Sequence, residues 1–241
     1  MSSKNLEAMV DEARLAFADK KYMLALNLFK KCLQLKFLNG CASLRLAIGY
    51  TLVKLGHRAK ARIAFERALQ LEPDNVPALV ALGVMDINTN TIEKGVQRLM
   101  TAYEIDTDNP ALLNQLANHF FYKNQPEIAE LLAWYALHLT ENQQMKSESC
   151  YHLGRCFQKK EEYEQAFKFY YQATRFDHPT FVLPHFGLGQ MFIQRNDYES
   201  AISEFKEVLR LAPDNLDAED ALSSLCKLVA KKKADKEEFT V

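Results

Sequence analysis

The chain has 241 residues, of which 48% are hydrophobic and 25% are charged, and its formal net charge is −1. This length can bury a core as one large domain or two small ones, and the near-neutral charge excludes a global attraction to nucleic acid or anionic membrane. No run of about 18 apolar residues occurs, so no membrane-spanning segment is predicted. The first residues lack the apolar core of a signal peptide, and an intracellular, soluble protein is expected.

The hydrophobic pattern predicts helices along the whole chain. Apolar residues recur at positions i, i+3, i+4 and i+7, and no stretch alternates with period two. The eight glycines and seven prolines stand at regular intervals, as turns between helices of similar length require. The predicted fold class is therefore all-α, built from helical hairpins that stack because one hairpin cannot bury its apolar face alone.

Six hairpin copies follow one another, and each places small and large residues at equivalent positions. The copies span residues 6–41, 42–75, 76–109, 110–146, 147–181 and 182–215. In the second copy these residues are Gly49, Ala61 and Phe65, and Pro73 ends the second helix. Small residues let the two helices of a hairpin approach closely, and proline cannot continue a helix.

The third copy departs most from the others. Asp86 stands where an aromatic residue is usual, and the polar segment after it contains threonine and glycine, which are weak helix formers. A longer or irregular turn is expected there. After the sixth copy, residues 216–232 predict an amphipathic helix that caps the stack with a charged outer face, and residues 233–241 predict a frayed tail.

The last two copies match the tetratricopeptide pattern, in which W-x2-L-G-x2-Y precedes A-x3-F and proline. The matching residues of the sixth copy are Leu188, Gly189, Phe192, Ala201, Phe205 and Pro213. Those of the fifth copy are Leu153, Gly154, Phe157, Ala166 and Tyr170. The sequence therefore predicts a tetratricopeptide-repeat superhelix, an α-solenoid of about six hairpins with a C-terminal capping helix.

No pattern that carries catalytic chemistry is found. The chain has no glycine-rich phosphate loop, no H-E-x-x-H and no G-x-S-x-G. None of the six histidines has metal-ligand spacing to a cysteine or carboxylate. His119 and His152 are catalytic candidates only because stacking brings neighbouring copies together, and packed or surface histidines are the preferred interpretation since catalysis needs several convergent groups. No enzyme activity, cofactor or metal is predicted.

The cysteines and one aromatic run each have two interpretations. Cys150 and Cys156 lie six residues apart in one predicted helix, where they form either a redox or metal pair or, as preferred, two buried thiols. The aromatic and lysine residues from Phe167 to Tyr171 could stack nucleobases, but single-strand binding also needs a basic groove. Packing within the second helix of the fifth copy is therefore preferred for this run.

Stacked hairpins of this type have a concave groove lined by the first helix of each copy. Positions two, five, nine and twelve of that helix are expected to face the groove. The candidate partner-binding residues are Tyr50, Val84, Asn114, Asn118, Phe121, Tyr151, Arg155, Gln158, Phe186, Gln190 and Ile193. This mixture suits a protein segment, because aromatic side chains supply contact area and amides bond to a peptide backbone.

The groove lacks the side chains with which chaperone-binding repeats hold a C-terminal carboxylate. Those repeats use lysine, asparagine and arginine on successive first helices. The corresponding positions here hold residues such as Val10, Arg14, Leu46 and Tyr50. Binding of a chaperone tail is therefore disfavoured, since the groove would leave the carboxylate without its partners.

Several strings are not dictated by the repeat pattern. They are L-A-N-H-F-F at 116–121, E-S-C-Y-H-L at 148–153, Y-E-Q-A-F-K-F-Y-Y-Q-A-T at 163–174 and F-V-L-P-H-F-G-L-G-Q-M at 181–191, with G-Y-T-L-V-K-L-G at 49–56 and K-A-R-I-A-F-E-R-A-L at 60–69 upstream. These strings resemble the large tetratricopeptide subunit of the RNA polymerase II-associated factor (PAF) elongation complex. The resemblance covers roughly residues 49–215.

The resemblance implies a nuclear, non-catalytic scaffold, and the near-neutral charge predicts no direct binding to nucleic acid or membrane. In that family the repeat subunit holds the namesake subunit and the parafibromin-like subunit, and the assembly accompanies elongating RNA polymerase II and promotes histone ubiquitination and methylation. Family members are several times longer, so a fragment or a reduced version is expected. The alternative is an unrelated tetratricopeptide adaptor that holds a peptide or helix of a cytoplasmic partner.

Overall fold

A computed structural model describes residues 3–35, 40–178 and 180–238, and within these ranges it contains thirteen α-helices and no strand. The predicted all-α class is confirmed. The helices are α1 (Ser3–Ala18), α2 (Tyr22–Leu33), α3 (Ala42–Lys54), α4 (Arg58–Leu71), α5 (Val76–Asn88), α6 (Ile92–Ile105), α7 (Pro110–Tyr122), α8 (Pro126–Leu139), α9 (Gln143–Lys159), α10 (Tyr163–Arg175), α11 (Leu183–Gln194), α12 (Tyr198–Leu211) and α13 (Leu216–Glu238).

The chain divides into two compact units, Met1–Thr107 and Asp108–Val241. In the first unit, three hairpins stack through α2 against α3 and α4 against α5. In the second unit, three further hairpins stack through α8 against α9 and α10 against α11, and α13 packs on α12. Helix α9 also contacts α7 and α11, so the first helices of these hairpins lie side by side. The limits of the six copies stay a prediction.

Each of the six hairpins turns through three residues, and the middle one has a positive φ. These residues are Lys20, Gly56, Asn90, Asn124, Glu161 and Asn196, with φ between 58° and 78°. Glycine adopts this left-handed conformation freely and asparagine tolerates it, whereas other residues are strained. The turn of the third copy, Thr89 to Thr91, is as short as the rest. The expected longer turn is therefore wrong, because Asn90 supplies the required conformation.

A small residue on the first helix of a hairpin leaves room for a large residue sixteen positions later on the second. A Cβ built on Gly49 would lie 2.4 Å from the Phe65 ring, and one on Gly154 would lie 2.7 Å from the Tyr170 ring. The Tyr170 ring also meets Gly187 of α11, where an added Cβ would lie 2.6 Å away. Tyr170 is 2% exposed, so one ring joins three helices at a distance that only glycine permits.

Asp86 replaces the aromatic residue of the third copy with a buried ion-pair network. It is 2% exposed. Arg62 of α4 donates a 2.5 Å hydrogen bond to its carboxylate, and Arg98 of α6 lies 3.0 Å from the other oxygen. Through Arg62 this network ties the second hairpin to the third, at a position where the last three copies have phenylalanine. Removing one partner would leave an uncompensated buried charge.

Asparagine side chains cap the N-termini of several helices. The side-chain oxygens of Asn75, Asn109 and Asn215 accept hydrogen bonds from the backbone N–H groups three residues later, which caps α5, α7 and α13. Helix α13 continues to Glu238, past the predicted end at residue 232. The intervening residues include no proline or glycine to stop it. The last three residues of the predicted tail lie outside the described residues.

The substitution Gly56→Ala should destabilise the chain by about 1 kcal/mol, because alanine is strained at a positive φ. Gly56 has a φ of 78° and open space around its Cβ direction. The matched control is Gly40→Ala, since Gly40 has the same open space without the positive φ. We expect the control to be neutral or slightly stabilising. Urea unfolding followed by circular dichroism measures both, and equal midpoints would contradict the strain.

The substitution Gly154→Ala should destabilise the second unit by about 1–3 kcal/mol, because the new methyl group collides with the buried Tyr170 ring. Adding Tyr170→Leu should recover part of this loss. The fourth copy already shows the compatible arrangement, with Ala117 and the small Ala133 at the equivalent positions, both fully buried. Urea midpoints of the single and double variants give the coupling. Additive effects of the two changes would argue against the close approach.

Candidate partner-binding groove

A groove of about 610 Å³ opens in the second unit along α7, α9 and α11. Its lining includes six of the eleven predicted residues, namely Phe121, Tyr151, Arg155, Gln158, Phe186 and Gln190. The groove exists because the first helices of three consecutive hairpins lie side by side and turn the same positions outward. The sequence period therefore placed just over half of the predicted residues in one connected surface.

Arg155 lies at one wall of the groove, stacked on aromatic rings. Its guanidinium carbon is 4.0 Å from the ring centre of Phe121, 5.0 Å from that of Tyr151 and 5.4 Å from that of Tyr122. Its Nη2 also donates a 3.0 Å hydrogen bond to the side-chain oxygen of Asn118 on α7. These contacts hold the guanidinium in one orientation, because cation–π stacking and a hydrogen bond act on it together.

The buried imidazole of His152 contacts the guanidinium of Arg155. Burial, and secondarily the charge of Arg155, lower the pKa of His152 to about 3. The ring is therefore neutral near pH 7, and its Nδ1 lies 3.3 Å from Arg155 Nη2, where a neutral nitrogen can accept a hydrogen bond. His152 is 8% exposed. This is a packed histidine that orients an arginine, as the preferred interpretation of the sequence expected.

Three side chains form a hydrogen-bonded floor across α9, α10 and α11. The hydroxyl of Tyr170 donates a 2.6 Å bond to Gln158, and the amide nitrogen of Gln158 donates a 3.1 Å bond to Gln190. Burial raises the pKa of Tyr170 far above its usual range, so the phenol stays a donor. Because each amide is already oriented by its neighbour, the floor is ordered before any partner arrives.

The other predicted residues lie elsewhere. Asn114 is fully buried, donates 3.2 Å to the carbonyl of Met145 and accepts 2.9 Å from Ser149. It does not reach the surface, because α9 packs over it. Asn118 is half-buried and accepts a hydrogen bond from Arg155, and Ile193 packs against the core around Phe205.

Two predicted residues, Tyr50 and Val84, belong to the first unit. Val84 is half-buried there. Tyr50 lines a separate groove of about 510 Å³, together with Arg14, Phe17, Phe29, Ala47, Val53 and Lys54. Its ring also packs edge-on against Phe65. The first unit therefore offers its own concave surface.

Sequence reasoning missed several lining residues of the groove in the second unit. These are Tyr122, Lys159, Tyr170, Leu183, Gly187, Asn215 and Asp217. Leu183 occupies the second position of the sixth copy, so the repeat phase contained a signal for it. Tyr122 and Lys159 each follow a predicted residue by one. No signal existed for Asn215 and Asp217, because their place depends on how α13 packs.

The buried thiols and the aromatic run follow their preferred interpretations. Cys150 and Cys156 are free and buried, and burial raises the pKa of each thiol, to about 12 and about 11. Phe169 and Tyr170 are buried within the second unit, which confirms packing for the central part of the aromatic run.

The described parts of the chain contain neither a metal-binding cluster nor a membrane-spanning helix. Residues 3–35, 40–178 and 180–238 bring no three histidine, cysteine, aspartate or glutamate side chains into an arrangement that holds a metal ion. None of the helices in those ranges has the length and apolar character needed to cross a membrane.

Comparison with known proteins identifies the repeat and a set of relatives. A tetratricopeptide repeat model matches residues 42–75 and 182–215, and a second one matches residues 147–177. The chain is 38% identical to the RNA polymerase-associated protein CTR9 of Caenorhabditis elegans and 40% identical to the protein CTR9 homolog of Arabidopsis thaliana. Each match covers 92% of the present chain. It spans about a fifth of those relatives, 20% and 21% respectively.

A likeness to solved structures bears on the fold alone. The crystal structure of the APC/C hetero-tetramer Cut9–Hcn1 matches 91% of this chain and 42% of the solved one, with a TM-score of 0.81 at 18% identity. Together with the repeat matches, it confirms the predicted tetratricopeptide fold class. The CTR9 homologues confirm the resemblance to the large repeat subunit of the PAF complex that the strings outside the repeat pattern had indicated.

Stability should fall on acidification because His152 is neutral when folded. The imidazole of the unfolded chain titrates near pH 6.5 and that of the folded chain near 3. Between these values the unfolded state binds more protons, so stability decreases as the pH falls. We expect a loss of about 2 kcal/mol between pH 7 and pH 5 from this group.

The control for this pH effect is His152→Gln, which has no titrating group at the position. Urea unfolding of both proteins at pH 7 and pH 5 isolates the histidine, because all other groups cancel in the difference. The pH-dependent loss should be smaller in the variant by about 2 kcal/mol. An equal loss in both proteins would show that His152 is not held neutral by burial.

Proposed function

We propose that the chain, which matches tetratricopeptide repeat models and has homologues named CTR9 along 92% of its length, is a non-catalytic scaffold of the PAF complex. It holds segments of other PAF subunits, namely the namesake subunit and the parafibromin-like subunit. Through them it associates with RNA polymerase II in the nucleus and supports transcription elongation and co-transcriptional histone modification.

The observation that carries the proposal is the groove of the second unit. It combines aromatic side chains, amides and one oriented arginine on three adjacent helices. Aromatic and arginine residues contribute most of the affinity at protein interfaces, and pre-ordered side chains lose little entropy on binding. Several strings that resemble the PAF subunit lie on the same helices, including 116–121, 148–153 and 181–191, so family resemblance and groove coincide.

The scaffold role also accounts for the composition of the groove. Gln158 and Gln190 present amides that suit a peptide backbone, and Phe186 presents an aromatic face. A general adaptor with the same repeat could use a similar surface for a cytoplasmic partner. The identities with CTR9 relatives favour the PAF complex over that alternative.

Affinity purification of the tagged full chain from extract of the source cells, followed by mass spectrometry, tests the proposal. We expect enrichment of the namesake and parafibromin-like subunits, with RNA polymerase II at lower yield. The triple variant Asn118→Ala, Tyr151→Ala, Arg155→Ala should reduce their recovery at least about tenfold, as loss of hot-spot residues does.

The matched control carries Gln165→Ala, Lys168→Ala and Lys206→Ala, which are exposed residues outside the groove lining. Circular dichroism of both triple variants establishes that each keeps its helical content. Recovery with the control variant should equal that of the unchanged protein. Purification of cytoplasmic proteins without any PAF subunit would favour the adaptor alternative and reject the proposal.

A further inference from the structure

Two cations on the α9 wall of the groove in the second unit have no carboxylate paired with them in the part of the chain that the structure describes, although Asp217 also lies on the groove lining. Arg155 and Lys159 lie one helical turn apart on α9, and both stand over the Phe121 ring, at 4.0 Å and 5.0 Å. Among the described residues, neither forms an ion pair with a carboxylate. The adjacent Lys160, in contrast, lies 2.5 Å from Glu130.

Exposed cations outside the groove, such as Lys168 and Lys206, also form no ion pair among the described residues, so Arg155 is distinguished by its place among aromatic rings. Arg195, at the end of α11, pairs with Glu164 on the preceding hairpin, as Lys160 does with Glu130. Arg155 is half-buried among aromatic rings, where a charge is poorly solvated and its field is stronger than at an open surface. The side chains that accept its hydrogen bonds, Asn118 and the neutral His152, carry no negative charge.

We infer that the groove of the second unit binds an internal segment of a protein partner that places an aspartate or glutamate between Arg155 and Lys159. This rests on the proposed scaffold function and specifies the chemistry of the segment. The oriented guanidinium supplies charge-assisted hydrogen bonds to the carboxylate. The same segment places an apolar side chain on the opposite wall, where Leu183 is 44% exposed beside Phe186 and Gly187.

The rest of the lining supports a peptide over a nucleic acid. Two cations line the groove, and Asp217 stands on its lining as well, which opposes a phosphate backbone that carries one charge per nucleotide. Single-strand binders combine aromatic platforms with a groove that is basic along its length. A side-chain carboxylate is also favoured over a C-terminal one, because the lysine, asparagine and arginine set of chaperone-binding repeats is missing.

Fluorescence anisotropy with designed peptides tests the inference on the full chain. The probes are fluorescein-labelled twelve-residue peptides with amidated C-termini, in which a Leu-Phe pair is fixed and an Asp-Glu pair is moved stepwise along the sequence. Matched peptides carry Asn-Gln or Lys-Arg instead. We expect at least one acidic peptide to bind about tenfold more tightly than its Asn-Gln counterpart, with an affinity that falls as salt rises.

Protein variants assign the effect to the two cations. Lys159→Glu changes an exposed residue and should abolish the preference for acidic peptides while leaving the fold intact. Arg155→Gln should do the same, and Lys168→Glu, an exposed charge reversal outside the lining, should have no effect. Leu183→Ala should weaken the binding of acidic and neutral peptides alike, because it removes the apolar contact.

Several outcomes would overturn the inference. Acidic peptides could bind no more tightly than Asn-Gln peptides, Lys-Arg peptides could bind more tightly, or no peptide could bind at millimolar concentration. A free C-terminal carboxylate could raise the affinity where internal acidic residues do not. A labelled oligothymidine could also bind more tightly than the peptides. Purification of PAF subunits that is unchanged by Lys159→Glu would reject the inference and leave the proposed function standing. Acid-selective peptide binding without any PAF subunit in the purification would support the acidic-segment inference and reject the proposed function.

Discussion

The structure depends on a close approach between the two helices of each hairpin. In five hairpins a small residue faces a large one sixteen positions later, and in the fourth Ala117 faces Ala133. Glycine holds the small position in four hairpins, at Gly49, Gly83, Gly154 and Gly189, and alanine holds it in the others. A Cβ at Gly189 would lie 2.9 Å from Phe205, closer than carbon atoms pack. Each large side chain fills the space that the small residue opposite it leaves free, so the hairpins share one geometry and can stack.

Contacts between hairpins fix how one copy follows the next. The Tyr170 ring reaches Gly187 of the following hairpin, and the buried Asp86 joins the second hairpin to the third through Arg62 and Arg98. Lys160 and Arg195 stand at equivalent turn positions, and each pairs with a glutamate of the preceding hairpin, Glu130 and Glu164. Surface pairs contribute little stability, roughly 0–1 kcal/mol each, so their effect is mainly on the register between neighbouring hairpins.

The groove arises from the same packing that builds the core. On α9, Gly154 faces the core while the next residue, Arg155, faces the groove, and Tyr170 serves both, with its ring in the core and its hydroxyl on the amide floor. A partner therefore meets side chains that the fold has already oriented. This is the condition under which a small surface binds with specificity, because little ordering remains to be done on association.

Local sequence determined the helices and the alignment of small and large residues, because each of these depends on residues within one hairpin. It led to the expectation of a longer or irregular turn after Asp86, where the turn has three residues like the rest. It also predicted Arg155, Tyr151 and Phe186 as groove residues from the repeat phase alone. It could not separate Asn114 from Asn118, which lie four residues apart on one face of α7. Only the tertiary structure decided that Met145 and Ser149 cover Asn114 while Asn118 meets Arg155.

The same holds for the charge on the groove wall and for the residues that α13 adds to the lining. Asn215 and Asp217 reach the groove because α13 packs on α12. Whether a lysine finds a glutamate, as Lys160 does and Lys159 does not, depends on which helix lies opposite. Exposure and pairing are set by neighbours some thirty residues away, at Glu130 for Lys160, and a periodic pattern within one helix carries no information about them.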